Sequence, residues 1–192
     1  VPSSIVTSFP IRRANVLIKA LSRCLKKRAF ITVDLTVPEI EQVFDGPDQS
    51  DKDWQSSDSA LTLSWLSIDT VNSYIYEYSI GTTPGDSSIV EWRNNGIGLD
   101  VNIQNLNLEY GIKYFGNVRA YDLANNISNI KSSNGITIDN HSPLAGFVFD
   151  GLNAQELEYV SSIDSISGRW TGFIDTLSGI ESYDYSIGTY LD

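Results

Sequence analysis

One stretch of this chain returns in near-copy about a hundred residues later, and no other feature limits the possible folds as much. Ile31-Thr32-Val33-Asp34 recurs as Ile136-Thr137-Ile138-Asp139, Pro38 as Pro143, Val43-Phe44-Asp45-Gly46 as Val148-Phe149-Asp150-Gly151, and Trp65 as Trp170, all 105 positions apart. Tyr78-Ser79-Ile80-Gly81-Thr82 then matches Tyr185-Ser186-Ile187-Gly188-Thr189 at 107, so the loop after the tryptophan is two residues longer the second time. Surface loops absorb such insertions. A period this long is a whole domain and not a solenoid unit of roughly 20–50 residues. The 192 residues therefore read as a tandem array, with a complete unit at 33–139 and the first three strands of a second at 140–192. The chain starts at Val1 and contains no methionine, which suggests an excerpt from a longer protein.

Within the first copy the apolar residues keep the period of strands. Leu61, Leu63 and Trp65 alternate with Thr62 and Ser64; Tyr74, Tyr76, Tyr78 and Ile80 alternate with Ile75, Glu77 and Ser79; Leu99, Val101 and Ile103 alternate with Asp100 and Asn102. Each run can bury one face of a sheet. Thr83-Pro84-Gly85-Asp86, Asn94-Asn95-Gly96 and Asn125-Asn126 separate the runs, with residues that accept positive φ or bond their own backbone. Helical spacing is absent from residues 31–192, so the expected class is all-β, an antiparallel sandwich.

Charge divides the chain in two. Seven of its 13 basic residues lie in 1–30 with no acid, and the remaining six bases and 24 acids leave residues 31–192 at −18. An acidic body repels a phosphate backbone, so nucleic acid is not an expected partner. In 1–30, Leu17, Leu21 and Leu25 stand four apart among positive residues, which marks a basic segment that is either helical or foreign to the repeat. Cys24, also there, is the one cysteine, so no internal disulfide forms. No apolar run reaches about 18 residues, so no membrane-spanning helix is expected.

Leu106, Leu108, Gly111 and Tyr114, followed by Val118, Arg119, Ala120 and Asp122, form a run of the type L-x-L-x-x-G-x-x-Y-x-x-x-V-R-A-x-D, and Leu61-Thr62-Leu63-Ser64-Trp65 is a strand ending in a tryptophan. On these residues the first copy resembles a fibronectin type III domain, of the variant repeated in tandem in large bacterial secreted and surface proteins. The resemblance implies an immunoglobulin-like sandwich, a buried Trp65 on the second strand, and Tyr114 as a tyrosine corner whose hydroxyl bonds nearby backbone. Asp122-Leu123-Ala124-Asn125-Asn126 has Asn125 where the family's turn usually carries glycine. Asparagine tolerates the left-handed conformation, so the turn is expected to survive.

Chemistry-bearing residues are few. His141, the only histidine, stands beside Ser142-Pro143 in the expected linker between copies, with no serine or carboxylate placed to make a triad. Glu156 and Glu158 lie in polar loop sequence without an apolar frame to shift a pKa. No catalytic residue and no cofactor is assigned, and the chain is read as non-enzymatic. Asp45, Asp48, Asp51 and Asp53 form an acidic loop of the oxygen-rich kind that suits calcium, although the EF-hand spacing is missing. They are weak calcium candidates, against the plainer reading of a solvated loop. Trp54, Trp92 and Tyr121 are glycan-binding candidates, because exposed rings stack on sugars; Trp65, Trp170, Tyr114, Tyr78 and Tyr185 fall on core-facing positions.

The expected function is a non-catalytic structural or adhesive spacer in a repetitive extracellular or cell-surface protein. Its partners would be neighbouring repeats of the same chain, with a surface protein or glycan as a further candidate. The alternative is an accessory carbohydrate-binding module of a secreted multidomain hydrolase.

Overall fold

The computed structural model describes residues 33–68, 75–153, 158–162 and 164–188, so the basic segment at 1–30 with Cys24, and also Tyr74 and Glu156, lie outside the described residues. Eleven strands run in chain order among them, with no helix: β1 Ile40–Phe44, β2 Trp54–Gln55, β3 Ala60–Ser67, β4 Ile75–Gly81, β5 Val90–Gly96, β6 Asp100–Gln104, β7 Lys113–Tyr121, β8 Lys131–Ser132, β9 Ile136–Ile138, β10 Phe147–Asp150 and β11 Gly168–Thr171. The fold is all-β, as the alternating runs predict.

Two sheets make the sandwich. One has the order β1-β3-β6 and is antiparallel throughout. The other has the order β2-β9-β7-β4-β5, with β8 also paired to β7 and with β2 running parallel to β9. Alternate side chains point inward from each sheet and meet in one core: Val43, Leu63, Trp65 and Ile103 from the first, Tyr76, Ile80, Tyr114, Val118 and Ile138 from the second. Trp65 is 1% exposed, and its ring lies 5.6 Å from that of Tyr76. Leu63 packs where β7 has Gly116, and a methyl at that position would overlap the leucine.

Tyr114 is buried, and its hydroxyl accepts a hydrogen bond from the Glu109 N–H at 2.9 Å, five residues back, as the tyrosine corner requires. Asn125 has φ 64°, so asparagine does hold the left-handed position in the 122–126 turn. Leu99 departs from expectation. It precedes the first paired residue of β6 and is 46% exposed, whereas Ile103 in the same run is buried. Alternation places a residue inside only as far as the opposing sheet extends.

Beyond residue 139 the geometry of the first copy recurs. In β1–β3, Val43 pairs with Trp65 and Phe44 with Ser64; in β10–β11, Val148 pairs with Trp170 and Phe149 with Arg169, the same register 105 positions on. Trp170 lies 5.7 Å from Tyr183, as Trp65 lies 5.6 Å from Tyr76. Asp34 Oδ1 accepts from the Thr36 N–H, and Asp139 Oδ1 accepts from the His141 N–H. Residues 180–187, the third run of the second copy, form no strand.

Candidate functional site

The candidate residues fall in three places. The first is the outward face of the larger sheet. Antiparallel pairing sets Glu77 opposite Arg119 and Ile75 opposite Tyr121. Arg119 binds the Glu77 carboxylate through Nη2 at 2.7 Å and Nε at 2.8 Å, and the Tyr121 hydroxyl donates to the same oxygen at 3.0 Å. The guanidinium sits 4.3 Å from the Trp92 ring centre and 5.6 Å from that of Tyr121. Burial first, and then the bond to Glu77, raises the Tyr121 hydroxyl above the usual phenol range. Trp92 and Tyr121 are thus brought together, but around Arg119, which covers part of their ring surface. Trp54 does not join them. It is on β2, at one edge of the five-strand order, while Trp92 is on β5 at the other, about 19 Å away at normal strand spacing. The three rings do not form a single sugar platform.

The second place is the acidic loop. Asp45 follows β1, is 2% exposed, and accepts the Gly135 N–H on Oδ2 at 2.9 Å. Asp51 Oδ1 takes the Asp45 N–H at 3.2 Å, and its Oδ2 takes the Asn134 side chain at 3.0 Å. These bonds tie the 45–51 loop to the connection between β8 and β9. Among the described residues Asp45 Oδ1 has no hydrogen-bond partner. Burial raises the Asp45 pKa to about 6, against the lowering effect of the Ser133 hydroxyl and the Gly135 N–H. Asp48 and Asp53 are exposed. The four carboxylates expected to suit calcium therefore do not converge, and among the described residues no three His, Cys, Asp or Glu side chains are grouped to hold a metal. The physical reason is local. Asp45 turns inward, with Oδ2 on the Gly135 N–H, and Asp51 spends both oxygens on the Asp45 N–H and the Asn134 side chain, so the two carboxylates are drawn away from Asp48 and Asp53.

The third place is the linker. The His141 ring stacks on Tyr110 with centres 3.9 Å apart, and His141 itself is exposed. Asp139 Oδ2 accepts the Ser178 N–H at 3.1 Å, so the linker holds the 175–179 turn that Asp175 caps. Hydrogen bonding from Ser178, the largest influence, keeps the Asp139 carboxyl below the usual range.

Two polar devices here escape sequence reasoning. Asn117, fully buried, donates to the Asp86 carbonyl at 2.6 Å and accepts from the Gly85 N–H at 2.7 Å, which fastens the β4–β5 loop over the outer face of the sheet. It sits in a strand pattern as one more polar residue, and nothing local marks it. The Glu77–Arg119 pair joins strands 42 positions apart, and its only sequence trace is that both residues fall on outward positions.

No protein-family model and no curated protein matches this chain. Among the described residues no helix is long and apolar enough to cross a membrane.

Proposed function

We propose that the chain is a tandem fibronectin type III-like array that serves as a non-catalytic structural or adhesive spacer in a repetitive extracellular protein. The observation that carries this reading is the return of strand register and of the Trp–Tyr ring pair at the spacing of the sequence repeat. The Tyr114 hydroxyl on Glu109 and the left-handed Asn125 add two features of the fibronectin type III pattern. A spacer needs stable units and a defined joint between them, and Asp139 donates its N–H to the Gln55 carbonyl of the first unit while its carboxylate accepts from the His141 N–H in the linker and the Ser178 N–H beyond it. Asp51, Asn117 and the Glu77–Arg119 pair hold loops and strands, which is the work of a scaffold.

Juxtaposition of Trp92 and Tyr121 favours the second reading, an accessory carbohydrate-binding module. Glycan-array binding with the full chain, alongside Trp54→Ala and Trp92→Ala, separates the two. The spacer reading expects no saturable sugar signal. Saturable binding lost in Trp92→Ala would overturn it in favour of the carbohydrate module.

A further inference from the structure

The segment 45–55 runs beside the last strand of the first unit and is fastened to it at successive points. Asp45 Oδ2 takes the Gly135 N–H at 2.9 Å, and Asp51 Oδ2 takes the Asn134 side chain at 3.0 Å while its Oδ1 takes the Asp45 N–H. Farther along, the Thr137 N–H donates to the Asp53 carbonyl at 2.9 Å and the Asp139 N–H to the Gln55 carbonyl at 2.8 Å, where β2 and β9 pair in parallel. Among the described residues every other strand pair is antiparallel. On its far side β9 is held by β7, with Thr137 opposite Lys113 and Ile136 opposite Tyr114, and Ile138 exchanges bonds with the Gly111 N–H and the Ile112 carbonyl.

Tension carried along the chain enters and leaves the first unit where the chain does, at Glu39 and Asp139. Those points lie at opposite ends of β3: the Ile68 N–H, just past its last residue, donates to the Glu39 carbonyl, and the Asn140 side chain donates to Asp58, just before its first. The pull therefore acts along the strands, over about 27 Å for the eight residues of β3. Inter-strand hydrogen bonds lie across the strands, so such a pull slides β1 past β3 and 45–55 past β9, and the bonds must fail together. A pull across the strands opens the same kind of bond one at a time.

We propose that this seam is a mechanical clamp: Asp45 and Asp51 latch the 45–55 segment to Gly135 and Asn134, and together with the parallel β2–β9 pair they make the first unit resist tension carried along the chain. The inference rests on the spacer reading and says what kind of spacer this is, one that stays folded when its ends are drawn apart. Forced unfolding follows the unfolding rate and not the equilibrium stability, so the direction of the pull decides how well the unit holds.

Constant-force stretching of single full chains tests it, with Cys24→Ser and a pair of cysteine handles at exposed positions. Leu35→Cys with Ser142→Cys pulls along the strands. Ile97→Cys with Leu123→Cys pulls across them, because Gly96 and Tyr121 flank Tyr76 and Ile75 at one end of β4. At one force the lengthwise pair is expected to unfold at least about tenfold more slowly than the crosswise pair, and Asp51→Ala to speed lengthwise unfolding about tenfold while leaving crosswise unfolding unchanged. Asn134→Ala, at the other end of the same bond, is expected to shift the lengthwise rate in the same direction. Equal rates in the two directions would overturn the clamp, as would an Asp51→Ala chain that unfolds faster in both directions alike or in neither. None of these results bears on the spacer reading, which stands or falls on sugar binding.

Discussion

Replacing Asp45 by asparagine tests how a buried carboxylate shapes the stability of this sandwich. In the folded chain its pKa is about 6, compared with an ordinary 3.8, because burial penalises the charge more than the Ser133 hydroxyl and the Gly135 N–H favour it; Asp51 also raises it and Lys113 lowers it. A folded pKa above the unfolded one means that the folded state binds the proton more tightly. The stabilisation is complete below about pH 3.8 and is lost as pH rises through about 6, and at roughly 1.4 kcal/mol per tenfold change in proton affinity it amounts to about 3 kcal/mol. Between about pH 7.5 and about pH 4.5 the wild type is expected to gain about 2 kcal/mol from this group. The Asp45→Asn chain has no such dependence. At about pH 7.5 the substitution removes a buried charge but strands an amide N–H₂ where Oδ1 has no partner, a cost of about 1–3 kcal/mol that does not vary with pH. Asp86, Asp122 and Asp139 have lowered pKa values, so their contribution is present above the unfolded pKa and is lost as pH falls through the folded one. It is common to both proteins and cancels. Urea denaturation of the two chains from about pH 4.5 to about pH 7.5 gives the difference directly. Parallel profiles would refute the reasoning and place Asp45 in contact with water.

Trp65→Ala is expected to cost about 3–5 kcal/mol in urea denaturation, because the largest buried side chain leaves a cavity between the sheets; a loss under about 1 kcal/mol would contradict its burial. Asn117→Ala frees the β4–β5 loop, with an expected loss of about 1–3 kcal/mol and faster exchange at the Gly85 amide, and unchanged exchange there would show that the loop is held by other bonds. Millimolar calcium and chelator are expected to give the same unfolding midpoint, since Asp45 Oδ2 and Asp51 are committed to backbone and Asn134 and no three carboxylates converge among the described residues; a midpoint raised by calcium alone would restore a metal site at Asp45–Asp53.

The class of fold was readable from period and punctuation, because a residue's side of a sheet follows from its position in an alternating run. Trp65, Tyr78 and Tyr114 are buried as their patterns require, and Asn125 is left-handed because few other residues accept that backbone. Leu99 falls outside the core because alternation carries no mark of where the opposite sheet ends. The candidate sites were less legible. The acidic run of 45–53 was visible as composition, but whether its oxygens face a cation, water or a distant N–H depends on Gly135 and Asn134, some 83–90 positions away. Trp92 and Tyr121 were visible as aromatics, but not as the two walls around Arg119.

Local preferences and the internal repeat are properties of the chain alone, so the main strands and turns of residues 33–139 and the first two strands of the second copy were legible before any packing was known, whereas the third, expected at 180–187, forms no strand because strand structure needs a paired neighbour. Partnership was decided only by tertiary structure. A hydrogen bond or ring contact depends on distance in space, and in a sandwich of non-local pairings that distance carries almost no trace along the sequence. The same residues accordingly stand buried in one copy, as Trp65 and Tyr78, and open in the other, as Trp170 and Tyr185, according to whether a strand such as β7 lies across them.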